Sequence, residues 1–140
     1  MQRHELQELQ LGSVERPTDE RLERIAALGA SPQGTPEAII RDRTWDDYSI
    51  GRDTVEAHLG AVDLVYTGVI EDLRQRIDDT DKLDPVTQDM LIGHAGGLEQ
   101  FQWFVRAHLE NSGGTLANAG ATTEKTAARK AARTTTSRRR

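Results

Sequence analysis

Two runs of apolar residues at helical spacing constrain the fold more than any other feature of this sequence. In the first, Val55, Leu59, Val62, Tyr66, Val69, Ile70, Leu73 and Ile77 recur at steps of three and four. That is the period of one face of an α-helix, not the alternation of a strand. Glu56, Asp63, Glu71, Arg74 and Arg76 lie mostly off that face. In the second run Met90, Leu91, His94, Leu98, Phe101, Phe104, Val105, His108 and Leu109 repeat in the same way. Between them DDTDKLDP is a turn, with Asp84 as helix cap and Pro85 as the first helical residue. The spacing predicts one helix over about 53–77 and a second from Pro85 to just before Ser112. Gly93, Gly96 and Gly97 interrupt the second; their expected use is close approach of a neighbouring helix or chain.

A third helix is expected over TDERLERIAALG, from Thr18 as N-cap to Gly29 just past its end. Leu22, Ile25, Ala26 and Leu28 give it an apolar stripe. Asp19 and Glu23 stand four residues apart, hence one turn apart on one face. Paired carboxylates of this kind hold hard cations or iron, and equally often decorate a solvated surface. Upstream, Leu6, Leu9 and Val14 form a weak helical pattern broken by Gly12 and Pro17. Downstream, Pro32, Gly34 and Pro36 mark a connection in which Thr35-Pro36 starts a short helix and Trp45 and Tyr48 anchor the link. Two long helices, one helix entered near its middle and a connector make an incomplete bundle. Self-association or a missing N-terminal helix is expected to supply the last partner.

The chain has no cysteine, which excludes disulfides and thiolate chemistry. It has no apolar run near the ~20 residues of a membrane span, and its first residues are polar rather than leader-like. A cytoplasmic protein is expected. The net charge of −5 is unevenly spread. Residues 121–140 carry Lys125, Arg129, Lys130, Arg133, Arg138, Arg139 and Arg140 against Glu124, a net of +6, leaving −11 on the other 120 residues. With almost no apolar bulk after Thr115, residues 115–140 are expected to be a flexible, disordered basic tail following a folded domain over 1–114. Cations dispersed among Ala and Thr suit DNA phosphates without base reading, though such ends can also merely aid solubility. His94 and His108, fourteen residues apart, share a face but not an ion; core or interface positions are expected for both.

The run from GTPEAIIRDRTWDDYSIG through VEAHLGAVDLVYTGVIEDLRQRI, the QDMLI opening of the second long helix and its QWFVRAHLE ending fall in an order that resembles the Dps family. The resemblance covers about Thr18 to Gly114. It implies an all-α, ferritin-like four-helix bundle, here missing most or all of the first helix, with twelve subunits closing into a hollow shell. It also implies oxidation of iron(II) by peroxide at two-fold interfaces, iron storage, and non-specific DNA binding on the nucleoid. By the family's pattern Asp19 and Glu23 are iron ligands, and His4, fifteen residues earlier, is a third. A helix rises ~22 Å over fifteen residues, so His4 would meet the acid pair only from a second, antiparallel copy. Asp89, with Asp84 nearby, falls where the family lines an iron-entry channel. The first-helix histidine and tryptophan of the family have no counterpart here. That leaves a second expectation open, a structural DNA-binding protein whose ferroxidase site is inactive.

Overall fold

The computed structural model describes residues 18–45 and 47–138. The expectations for His4, Gly12, Pro17, Arg139 and Arg140 fall outside them. The chain forms two compact units, dividing between Arg43 and Thr44.

The first unit contains α1 (18–27) and α2 (Pro36–Asp42). At the end of α1, Ala30 N–H donates to the Ile25 carbonyl at 3.1 Å and Gly29 N–H to that of Ala26 at 2.9 Å. This reciprocal closure needs a left-handed residue, and Gly29 supplies it with φ of 82°. α2 starts as its sequence dictates: Thr35 Oγ1 accepts from Ala38 N–H at 3.3 Å, and Pro36, lacking an N–H, occupies the first turn where none is needed.

The second unit is built on α3 (Val55–Thr80) and α4 (Pro85–Leu109). Thr54 caps α3, accepting from Ala57 N–H at 3.2 Å. Asp84 caps α4, accepting from Val86 N–H at 3.2 Å and Thr87 N–H at 3.3 Å, with Pro85 next in line. Asp84→Ala should therefore cost about 1 kcal/mol, read as a lower urea midpoint at unchanged slope. The helices run antiparallel. Arg106 pairs with Asp63 near the start of α3, and Gln88 Nε2 donates to the Ile77 carbonyl near its end. Arg74 and Glu99 bridge the pair on the exposed side. Trp45 backs onto Gly68, where a β-carbon would collide with it.

Two parts of the expected apolar pattern are placed differently. Phe104 is 50% exposed and His108 is also exposed, so the buried face of α4 is narrower than its periodicity. They lie on an outer face with Ile92 and Trp103. Gly93, Gly96 and Gly97 lie there too; among the described residues nothing stands within 4 Å of a β-carbon built on any of them. Within the unit, close approach happens at Gly60 and Gly68 of α3 instead.

The larger correction concerns the C-terminal segment, which sequence reasoning leaves disordered. Residues 124–138 form a helix, α5 (Glu124–Arg138), packed on α3. The reason is size complementarity. Ala127, Ala128 and Ala131 of α5 are buried, as are Ala57, Gly60 and Ala61 of α3. A β-carbon on Gly60 would stand 2.7 Å from the Ala127 carbonyl oxygen and 2.8 Å from Ala131 Cβ, so only glycine lets the backbones come this close. Ile50 and Ala132 flank the seam. The link into α5 is a tight turn: Asn111 Oδ1 accepts from Gly113 N–H at 2.9 Å and Thr115 N–H at 3.1 Å.

Candidate metal and nucleic-acid sites

Asp19 and Glu23 fall on α1 one turn apart, and both are exposed. Between them in sequence is Arg21, whose guanidinium is pushed below its ordinary range by burial. Two carboxylates facing water offer oxygen donors suited to a hard cation and leave most of its coordination positions open. Among the described residues no group of three or more His, Cys, Asp or Glu side chains is placed to hold a metal ion. The structure thus brings together two of the three residues expected at the iron site.

Asp84 and Asp89 both lie at the N-terminal end of α4. Asp84 is committed to the helix: besides its two backbone bonds it accepts from Thr87 Oγ1. Asp89, one turn further on, is exposed.

The basic residues divide by the face of α5 they occupy. Lys125, Arg129 and Arg133 are exposed at a spacing of four. Lys130 instead turns back, its Nζ donating to the Ala119 carbonyl at 2.7 Å. Arg138 is the last residue of the helix. Glu124 is 5% exposed: Oε1 accepts from the Ser49 N–H and, at 3.0 Å, from the Ile50 N–H, while Oε2 accepts from Ser49 Oγ at 2.8 Å. The single acid of α5 is turned inward, and its outer face is cationic.

The residues sequence reasoning missed hold this arrangement together. Asp63, read there as a charge off the apolar face, is 4% exposed and sits where α3, α4 and the link to α5 meet. Its Oδ1 accepts from Arg106 Nε at 2.6 Å and Gln102 Nε2 at 3.0 Å, and its Oδ2 from Asn118 Nδ2 at 2.8 Å. Thr67 Oγ1 receives Gln102 at 2.8 Å and Arg106 at 3.1 Å. Polar pairs four apart on both facing helices, 63 with 67 and 102 with 106, are the sequence signal that could have found it. Nearby, Tyr48 Oη shares a hydrogen bond with His58 Nδ1 at the start of α3. His94 is buried in α4, while His108 Nδ1 donates to the Phe104 carbonyl at 2.8 Å.

Residues 3–113 match the family described as ferritin-like domain, so α1 to α4 belong to a known class of helical bundle and α5 lies beyond it. The chain is 62% identical over 130 residues to the DNA protection during starvation protein of Mycolicibacterium smegmatis, covering 93% of this chain and 71% of that protein. A solved structure of Mycobacterium smegmatis Dps superposes with a TM-score of 0.77 at 62% identity, over 87% of this chain and 70% of that one. DpsA14 from Streptomyces coelicolor gives a TM-score of 0.73 at 56% identity, over 81% and 68%. Identity at that level over that length makes this chain a member of the Dps family.

Among the described residues no helix is long and apolar enough to cross a membrane.

Proposed function

We propose that this chain is an iron-oxidising, iron-storing protein that also binds DNA without sequence preference and shields it from oxidative damage. The observation that carries it is the 62% identity, over nearly the whole chain, to a protein named for DNA protection during starvation. The exposed acid pair on α1 and the cationic face of α5 supply the two chemistries that role requires. Iron(II) is the substrate. Asp19 and Glu23 bind it through oxygen, and His4 of a second copy adds an imidazole nitrogen. Two iron(II) ions give one electron each to one hydrogen peroxide, which takes up two protons and leaves as two waters. Removing peroxide and free iron(II) together is the protection. Asp89, with Asp84 beside it, draws the cation inward by charge. Drawing His4 from a second copy makes a dimer the oxidising unit, and a dodecameric shell on the nucleoid is the assembly proposed with it.

Adding iron(II) and peroxide to the assembled protein should give rapid oxidation, followed by absorbance of the ferric product. Asp19→Ala and Glu23→Ala should each lower the initial rate at least about tenfold, since each removes a charged ligand from an open site. Equal rates in all three proteins would remove the site assignment. A second reading is a DNA-binding protein with an inactive iron site. DNA retardation with oxidation no faster than in buffer would select it.

A further inference from the structure

The chain has two tyrosines, and they are placed differently. Tyr66 is half-buried within α3 and, among the described residues, has no imidazole against its hydroxyl. Tyr48 is 45% exposed, and its Oη is hydrogen-bonded to Nδ1 of His58. The two rings lie 6.1 Å apart between centroids, inclined at 38°. The pairing is held from both sides. Ser49 and Ile50, next to the phenol, are clipped by the Glu124 carboxylate. His58 is fixed in the first turn of α3, its backbone N–H donating to the Thr54 carbonyl at 3.2 Å. A phenol gives up an electron readily only if its proton leaves too, because the oxidised ring is a strong acid. With the ring proton of His58 on Nε2, Nδ1 is a base in position to take it. Trp103 is exposed as well, but its neighbour is the Phe104 ring, which takes no proton.

Resting on the iron-and-peroxide reading above, we infer that Tyr48, with His58 as its proton acceptor, is a one-electron oxidation site that joins two copies of this chain through a bond between their tyrosine rings. The oxidant is hydroxyl radical. It forms when a single iron(II) gives one electron to hydrogen peroxide, leaving iron(III), hydroxide and the radical. Tyr48 gives its electron to the radical, which becomes hydroxide, and its proton to His58. The imidazolium passes that proton to the hydroxide, so one phenol and one hydroxyl radical become one phenoxyl radical and one water. Two phenoxyl radicals from two copies then bond at ring carbons ortho to oxygen. Each displaced ring hydrogen moves to its own oxygen, restoring both phenols. The exposed ring of Tyr48 can meet its counterpart on a second copy in this way.

Site and oxidant can be tested apart in the full chain. Photo-generated ruthenium(III) tris-bipyridine, with persulfate as the electron sink, takes single electrons without iron. It should give a covalent dimer on a denaturing gel, dityrosine fluorescence, and a fragment by mass spectrometry that links Tyr48 of one copy to Tyr48 of another. Tyr48→Phe should lose that product, and Tyr66→Phe should keep it. His58→Gln leaves a hydrogen-bonding side chain and a good helix former in place but supplies no base. Its initial coupling rate should fall about tenfold or more, and imidazole added to the buffer should restore part of it. A variant that merely disturbed the fold would not be rescued. Iron(II) with excess peroxide should give the same linked fragment. Coupling in Tyr48→Phe equal to the parent's, or in His58→Gln as fast as the parent's, overturns the proposal. So does ruthenium-driven coupling that iron(II) and peroxide fail to reproduce although the protein oxidises iron. Iron oxidised no faster than in buffer, with ruthenium-driven coupling at Tyr48 intact, would remove the iron reading and leave the coupling site standing.

Discussion

Asp63→Leu should lower the unfolding free energy by about 3 kcal/mol or more, the largest loss expected from any single change in the second unit. The carboxylate is almost fully buried and accepts from Arg106, Gln102 and Asn118. Removing it takes an acceptor from three donors at once, though Gln102 keeps Thr67 Oγ1 and Asn118 keeps the Gly60 carbonyl. Each unsatisfied buried donor costs about 1–3 kcal/mol, and the guanidinium loses its counter-charge as well. Arg106 is 40% exposed at its side chain, so water recovers part of its share, which keeps the estimate at the lower end. Asp63→Asn is a sharper test. Its amide keeps one oxygen for Arg106 and Gln102 and turns an NH2 toward Asn118. Asn118 Oδ1 has no hydrogen-bond partner among the described residues, and a flip of that amide would accept the new donor. The expected loss is then only about 1 kcal/mol. Urea unfolding of both variants reads the difference. Equal midpoints for leucine and asparagine would mean that the network contributes shape and not hydrogen bonding.

Glu124→Ala should free α5 while leaving α3 and α4 folded. The substitution leaves the Ser49 and Ile50 N–H groups without their acceptor, at about 2 kcal/mol, against a seam of methyl groups that buries little area. The effect is local, because α5 touches α3 and the link before it, whereas the α3–α4 pair has its own bridge at Asp63. Hydrogen exchange of the amides in 124–133 should quicken by about tenfold or more, with those of α3 and α4 little changed. Glu124→Gln, which keeps one carbonyl oxygen, should fall between the two. Unchanged exchange in α5 would assign its docking to the alanine seam alone.

The long helices were legible because their signals are local. Asp84-Pro85 and Thr35-Pro36 cap and open α4 and α2 as read, and the three-and-four spacing gives α3 within a few residues of its ends. α5 was not legible, because its stability lies in a match to a glycine more than sixty residues earlier. Ala127 and Ala131 carry no apolar bulk for a hydropathy pattern to register, and Glu124 looks like a stray acid until Ser49 is beside it. Asp63 was misjudged for the same reason: a carboxylate between Val62 and Leu64 announces its burial only through donors on another helix. At the candidate iron site the spacing of Asp19 and Glu23 was readable as one helical face. Its completion was not, since the remaining ligand is expected from another polypeptide.

The seam between α3 and α5 has one more consequence, for how the C-terminal helix comes and goes. Alanine and glycine have no rotamers to freeze, so closing the seam itself orders backbone but no side-chain torsions, which are fixed only at the polar clips. The helix can leave and settle back without any repacking of the surface beneath it. Its residence time on that surface is then governed by the polar clips at Glu124, Asn118 and Lys130, three points that chemistry can loosen one by one.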